Sequence, residues 1–230
     1  MSDQARPTHA IVFYDTPVAT IHDIANGKLQ AGKPVSEEDA RRIFAPISEA
    51  EFSGMEFELI PENVLVHCST HLVWYQPSQY RKMWFRLGRK RSSALVRRVP
   101  ALVWFVNKKK EEVSLFALKD SKRPSSTTEL HRAPFMNCYD NGGICWGGEC
   151  PDLHTGTIEE VIASVDSVFF NKTSFTHTNG SQTLMVGKKP VGESKAVLRW
   201  WKSQPTKTSR FKSSCLVPLN LTISKVMEMG

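Results

Sequence analysis

The sequence lacks the features that would place a protein in or across a membrane. Its apolar stretches are well short of the roughly 20 residues that a membrane-spanning helix needs. Its N-terminus, Met1-Ser2-Asp3-Gln4, is polar and has no apolar core of the signal-peptide kind. We therefore expect a cytoplasmic protein without membrane contacts.

Cysteines are few and odd in number, which argues against a disulfide framework. Without a signal peptide, we expect all of them to be free thiols that are either buried as small apolar groups or used chemically. The five cysteines are Cys68, Cys138, Cys145, Cys150 and Cys215.

The overall composition is that of a folded domain, with 40% hydrophobic and 23% charged residues in a chain of 230. Much of the net charge of +7 lies between Arg81 and Arg98. We expect this basic run to be a solvated loop that packs in part through Trp84 and Phe85. Docking of an acidic partner protein or of nucleic acid is the alternative, although none of the common nucleic-acid-binding motifs is present.

Short apolar segments in the first half of the chain predict strands, and the clearest of them form a hairpin. Residues 101–106 (ALVWFV) are expected to pair with residues 113–118 (VSLFAL) at the centre of a sheet, because both are rich in β-branched and aromatic residues. A short helix is predicted after Ser36. Further strands are predicted at 10–14, 57–60, 64–68 and 72–75.

The second half of the chain predicts an irregular segment followed by helices. Residues 120–128 read as a loop, and residues 134–151 as an irregular crossing rich in turn formers. Thr157 and Glu160 form a capping-box pattern at the start of one helix, and Glu193 to Lys202 predict a second. The last 25 residues or so predict little structure. Strands followed by helices indicate an α+β fold with an antiparallel β-meander.

Cys145 is the most informative of the cysteines. It follows Asn141-Gly142-Gly143, a turn signal whose glycines accept positive φ, so its thiol is expected near a loop edge and partly exposed. Asn137 lies eight residues earlier, and a reversal at the glycines would bring its carboxamide toward the thiol.

Several interpretations of Cys145 remain open on the residues alone. It is either a buried apolar group, a nucleophile, or one of four zinc ligands with Cys138, Cys150 and His154, although no tight Cys-x2-4-Cys pair is present. A hydrolase-type Cys-His pair is a further alternative, with His154 or one of two other histidines as the base. Those two are His131 and His177.

The loop around Cys145 resembles the active-site segment of ubiquitin-conjugating enzymes. In that family an asparagine precedes the catalytic cysteine by eight residues, and Gly-x-Ile-Cys closes the interval. Asn137 and the segment from Gly142 to Cys145 match this pattern. The neighbours differ: Phe135-Met136 stands where the family has His-Pro, and Trp146-Gly147 where it has Leu-Asp.

Five further segments carry a resemblance that extends over a larger part of the chain: Leu72 to Pro77, Pro100 to Val103, Thr128 to Phe135, Gly143 to Gly147 and Phe175 to His177. They are similar to protein B of the PRTRC cassettes, a bacterial, often plasmid-borne family classed with the prokaryotic ubiquitin-conjugating-like proteins as family D. The resemblance implies a ubiquitin-conjugating-like core over residues 56–203, a β-rich extension over 1–55 and a C-terminal tail over 204–230. It also implies three partners, a ThiF-like activating enzyme, a small ubiquitin-like protein and a JAB-type peptidase, and no cofactor.

The resemblance implies that Cys145 accepts the ubiquitin-like protein as a thioester and transfers it to an amine. Asn137 would then either donate a hydrogen bond to the developing oxyanion or brace the loop. The alternative function is a non-enzymatic scaffold, or a nucleic-acid-binding component, with the same fold. The candidates for taking the proton of the arriving amine are Asp140, Asp152, His154 and His177.

Overall fold

The structure, a computed structural model, describes residues 7–15, 18–36, 59–89, 91–178 and 182–229. The chain divides into two compact units, Met1–Phe57 and Glu58–Gly230. The division predicted from the sequence, into an extension, a core and a tail, stays a prediction.

The described part of the first unit is a small antiparallel sheet. Its strands are β1 (His9–Phe13), β2 (Ala19–Ala25), β3 (Lys28–Leu29) and β4 (Lys33–Pro34). β2 pairs with each of the other three, and β1 confirms the strand predicted over residues 10–14. The helix predicted after Ser36 lies outside the described residues.

The second unit is built around a six-stranded antiparallel sheet. In their order across the sheet, the strands are β15 (Pro218–Thr222), β11 (Glu129–Arg132), β10 (Glu112–Leu118), β9 (Ala101–Asn107), β6 (His71–Gln76) and β5 (Val64–His67). The predicted central hairpin is confirmed as β9 and β10, with Ala101 opposite Leu118 and Val106 opposite Val113. The predictions at 64–68 and 72–75 correspond to β5 and β6.

Both faces of this sheet are covered, which explains why its central strands are apolar at nearly every position. On one face Trp74 and Trp104 stack with their ring centroids 5.7 Å apart, and Phe169 meets Trp104 edge-on at 5.3 Å. On the other face Phe105 and Phe116 belong to a second buried cluster.

The basic run from Arg81 to Arg98 is a hairpin, so the prediction of a loop is wrong. It contains β7 (Tyr80–Phe85) and β8 (Ser93–Arg98), and β12 (Ser174–Phe175) adds parallel to β7. The charges obscure a two-residue alternation in which Met83 and Phe85 are buried while their neighbours are not.

Two helices cover the face of the main sheet that carries Trp104. α1 (Ile158–Ser167) begins with the predicted capping box of Thr157 and Glu160 and continues into a π-helical turn, Val168–Lys172. α2 (Ser194–Ser203) confirms the second predicted helix and buries Val197 and Trp201. In the described parts of the chain, every helix is too short or too polar to traverse a bilayer.

The last residues are structured, so the prediction of a weakly ordered end is wrong. β15 pairs with β11, placing Leu221 opposite Leu130, and α3 (Ile223–Met229) buries Ile223 against the sheet. Local patterning missed these elements because tertiary pairing stabilises them. The strand predicted at 57–60 is also wrong in its described part, where Leu59 and Ile60 are exposed and irregular.

The described elements thus form the predicted α+β class, with mostly antiparallel sheets and three α-helices. A separate hairpin, β13 (Leu184–Val186) and β14 (Lys189–Val191), and a 3-10 turn, Ser213–Cys215, complete the unit.

Candidate active site

The segment that carries Cys145 pairs with β10 just beyond the point where β11 stops pairing with that strand. The main-chain N–H of Leu115 donates to the carbonyl of Gly142 at 2.9 Å, and Ser114 forms a β-bridge with Gly143. Gly142 has φ +87°, and a Cβ there would lie 2.4 Å from the ring of Phe116. The predicted glycine turn is therefore present, and at residue 142 only glycine fits.

An aromatic cluster anchors the start of this loop. Phe135 is fully buried between the rings of Phe175 and Trp201, which stack on it at centroid distances of 5.7 Å each. The indole N–H of Trp201 also donates to the Pro134 carbonyl at 2.9 Å. Phe135 and Met136, the pair that departs from His-Pro, are thus core residues that fix the loop to α2 and β12.

Arg132 holds the next part of the loop from inside the protein. Its buried guanidinium donates to the Cys138 carbonyl at 2.5 Å and forms an ion pair with the exposed carboxylate of Asp140. Burial lowers the pKa of Arg132. Burial also raises the pKa of the Cys138 thiol to about 12, so this thiol is a structural group.

Asn137 joins the loop to Cys145 directly. Its main-chain carbonyl accepts the N–H of Cys145 at 2.7 Å, and its side-chain Nδ2 donates to the Cys145 carbonyl at 3.2 Å. The same Nδ2 donates to the Ser174 carbonyl at 3.1 Å. Asn137 is 1% exposed and has φ +63°, a conformation that asparagine tolerates better than most residues.

The remaining polar groups of Asn137 bind the segment after β12. Its Oδ1 accepts the main-chain N–H of Thr176 at 2.9 Å and the Thr176 hydroxyl at 3.2 Å, and its own N–H donates to the His177 carbonyl at 2.7 Å. Both amide protons are therefore donated to main-chain carbonyls. Of the two roles that the sequence left open for Asn137, this geometry favours the brace.

Cys145 lies half-buried at the end of this arrangement. Ile144 and Trp146 on either side of it pack against the core, and Trp146 meets Phe169 edge-on at 6.2 Å. The exposed Gly147 and Gly148 follow. The main chain at Cys145 is thus fixed, and the residue as a whole is partly exposed.

The other thiols differ from Cys145 in their surroundings. Cys215, like Cys138, is buried, and burial raises its pKa to about 12. Cys150 is exposed, as is Cys68, whose pKa is lowered chiefly by a hydrogen bond with the Thr70 hydroxyl. Cys68 was not predicted as a candidate, because its only distinguishing feature in the sequence is its place in the turn before β6.

Asp152 and His154 line a cavity of about 260 Å³ beside Trp146. The Asp152 carboxylate accepts hydrogen bonds from the Thr155 hydroxyl and from the main-chain N–H groups of His154 and Thr155, which lower its pKa to about 2. The His154 imidazole lies 3.4 Å from a carboxylate oxygen of Glu111, which lines the same cavity.

The rings of two candidate histidines, His154 and His177, have partners other than the thiol of Cys145. His154 pairs with Glu111, and Nδ1 of His177 is 2.6 Å from the Thr176 hydroxyl. His131 is buried within β11, where burial lowers its pKa. In the described parts of the chain, histidine, cysteine, aspartate and glutamate nowhere form a group of three that could hold a metal, so the four residues of the zinc alternative do not form one.

The structure therefore brings Asn137, Cys145 and the segment from Ser174 to His177 together. It places Asp152 and His154 in the neighbouring cavity, and it pairs Asp140 with Arg132. The roles of Ser174 and Thr176 were missed, although the sequence Phe-Thr-His was noted as part of a resemblance. The role of Arg132 could not be predicted, because the residues around a single arginine in an apolar strand do not identify its partner.

The family model described as Prokaryotic E2 family D matches residues 43–219, which is more than half of the chain. No curated protein and no solved structure gives a significant match.

Proposed function

Because the chain belongs to prokaryotic E2 family D, we propose that Cys145 receives a ubiquitin-like protein as a thioester and passes it to an amine. The observation that carries this proposal is the double hydrogen bond between Asn137 and the main chain of Cys145. It fixes the backbone of a partly exposed cysteine, and the proposal requires that the C-terminus of another protein reach its thiol. Transfer between thioesters demands such access and orientation more than a strong base.

The first step exchanges one thioester for another. The Cys145 thiolate attacks the carbonyl carbon that joins the ubiquitin-like C-terminus to a cysteine of the activating enzyme. A new C–S bond forms on Cys145, the old C–S bond breaks, and the thiolate of the activating enzyme leaves. Because a thioester replaces a thioester, the step is close to balanced in free energy and needs no cofactor.

The second step forms an amide. The amine of the acceptor attacks the thioester carbonyl, the C–N bond forms, and the C–S bond breaks to release the Cys145 thiolate. The amine must lose a proton during this step. Asp152 and His154 line a cavity that is also lined by Trp146, the residue after Cys145, and we propose that the acceptor amine enters there.

The candidate proton acceptors differ in what their surroundings allow. The carboxylate of Asp152, with its pKa near 2, attracts a cationic amine but is a poor proton acceptor at neutral pH. Imidazole is the commonest general base in catalysis, and that of His154 lines the same cavity as Asp152. Asp140 is occupied by its ion pair with Arg132, and Nδ1 of His177 is occupied by the Thr176 hydroxyl. We therefore assign the proton to His154 and the attraction of the amine to Asp152 and Glu111.

Asn137 in this scheme is a positioning residue. Its side chain has no amide proton left for an oxyanion unless a bond to Cys145 or Ser174 is broken. The proposed partners are a ThiF-like activating enzyme, a small ubiquitin-like protein and a JAB-type peptidase, in a bacterial PRTRC cassette.

The proposal is tested by reconstitution. The full chain is mixed with the activating enzyme, the ubiquitin-like protein and ATP, and denaturing gels are run with and without a reducing agent. We expect an adduct that the reducing agent removes and that Cys68→Ser and Cys150→Ser, the two exposed controls, still form. Absence of an adduct with an activating enzyme that is itself charged would refute the proposal.

A further inference from the structure

The positive charge of the protein is concentrated in two segments. Residues 80–98 and 194–212 contain 14 of the 30 lysines and arginines and no aspartate or glutamate. The rest of the chain contains 16 basic and 23 acidic residues, so these two segments alone make the protein basic. Such a separation of charge creates a local positive potential much larger than the net charge of +7 suggests.

The fold places the two segments side by side. The hydroxyl of Tyr80 accepts the N–H of Thr208 at 2.6 Å and donates to its carbonyl at 3.0 Å. Arg98 donates to the same carbonyl at 2.9 Å, and Arg97 donates to the carbonyl of Lys202 at 3.2 Å. We call the exposed and half-buried residues of the two segments the basic face.

The outer surface of the β7–β8 hairpin adds aromatic rings to this face. Tyr80, Lys82 and Trp84 alternate with the inward-facing residues of β7, which include the buried Met83 and Phe85. The ammonium of Lys82 lies 4.4 Å from the centroid of the Trp84 ring. The guanidinium of Arg98 lies 4.6 Å from that of Tyr80, which is 38% exposed.

This combination fits a nucleic-acid strand better than an acidic protein. Lysine, arginine and serine or threonine hydroxyls are the groups that contact phosphates, and aromatic rings on an exposed sheet surface stack on unpaired bases. A protein interface has an apolar centre. Among the described residues of the basic face, Tyr80 and Val96 are the only large hydrophobic side chains that are exposed.

We propose that the basic face binds single-stranded nucleic acid, with cations of both segments on the phosphates and with Tyr80 and Trp84 stacking on bases. Lys82, which lies over the Trp84 ring, would move to a neighbouring phosphate when a base takes its place, while Arg98 stays bonded to the carbonyls of Ser78 and Thr208. This binding is independent of the thioester chemistry of Cys145.

The test measures the anisotropy of a labelled oligothymidine of about 16 nucleotides, the upper end of common site sizes, at increasing salt. The affinity should fall steeply between about 50 and 200 mM salt. The exposed pair Arg89→Ala/Arg91→Ala should reduce the slope of log affinity against log salt by about 1.4, at about 0.7 per cation. Its matched control, Lys108→Ala/Lys109→Ala in the β9–β10 turn, removes the same charge and should leave the slope unchanged.

Stacking is tested separately from charge. Trp84→Ala should weaken binding roughly tenfold, while Trp84→Phe, which retains a ring and preserves packing, should bind nearly as well as the parent. Binding of polyglutamate as tightly as the oligonucleotide would overturn the proposal in favour of an acidic protein partner. Equal binding of duplex and single strand, or equal losses from the arginine and lysine pairs, would overturn it as well.

Discussion

Asn137 binds both main-chain polar groups of Cys145, accepting its N–H at 2.7 Å and donating to its carbonyl at 3.2 Å. The same side chain bonds the main chain at Ser174 and Thr176. The position of the proposed nucleophile is thus coupled to β12 and to the residues just after it, which are distant in sequence. Removing this one side chain should therefore lower both the stability of the fold and the rate of the proposed reaction at Cys145.

Asn137→Gly tests the brace, because glycine keeps the positive φ and removes only the side chain. The carbonyls of Cys145 and Ser174 lose their donor, so we expect the free energy of unfolding to fall by roughly 1–3 kcal/mol, measured by urea denaturation. Loading of Cys145 and discharge to an amine should both slow. Slower discharge with unchanged stability and loading would instead assign Asn137 to the oxyanion. Asn141→Gly, which removes one exposed bond to the Gly143 N–H, is the matched control and should have a smaller effect.

Phe135→Ala tests the aromatic anchor beneath the loop. A cavity between Phe175 and Trp201 should lower the free energy of unfolding by roughly 3–5 kcal/mol. Phe13→Ala, at a side chain that is 77% exposed, should change it by less than about 0.5 kcal/mol. Equal effects of the two substitutions in thermal or urea unfolding would show that Phe135 does not anchor the loop.

The low pKa of Asp152 predicts how stability changes with pH. Its pKa in the folded protein is about 2, below the usual value of 3.8, so its contribution is complete above about pH 4 and disappears as the pH falls through about 2. The difference in melting temperature between the parent and Asp152→Asn should therefore be constant from neutral pH to about pH 5 and shrink below pH 4. A difference that instead changed between pH 6 and 8 would contradict this assignment.

The burial of the thiols predicts which of them react with an alkylating agent. In the native protein at pH 8, iodoacetamide should label Cys68, Cys145 and Cys150, and peptide mass mapping should find Cys138 and Cys215 unlabelled. Cys138 and Cys215 are buried with pKa values near 12, so the reagent cannot reach their thiols and little thiolate forms. In denaturant all five should react. Native labelling of Cys138 at the rate of Cys145 would contradict the structure of the loop.

Local patterns predicted those parts of the fold that neighbouring residues determine. The β9–β10 hairpin and the capping box at Thr157 depend on residues a few positions apart, so their signals are complete in the sequence. Strand β15 depends on a distant partner, β11, and was missed. The hairpin of the basic run pairs locally and was missed because its charges indicated a solvated loop. The charges of the basic run also hid its alternation.

The candidate site was predicted in outline for the same reason. Asn137 and Cys145 are eight residues apart, so a turn of known type suffices to place them together. The sequence did not reveal that the amide of Asn137 binds the main chain of Cys145, because its other partners come from residues 174–177. Likewise, the pairing of Arg132 with Asp140 becomes visible only when β11 and the loop are folded.

The central claim, that Cys145 carries the ubiquitin-like protein, is tested most directly by intact mass spectrometry of Cys145→Ser after reaction with the activating enzyme, the ubiquitin-like protein and ATP. We expect an adduct whose mass is the sum of the two proteins less one water, which survives a reducing agent because it is an oxyester. Cys145→Ala should give no adduct. An adduct of the same mass on Cys145→Ala, or none on either the parent or Cys145→Ser while the activating enzyme is charged, would contradict the claim.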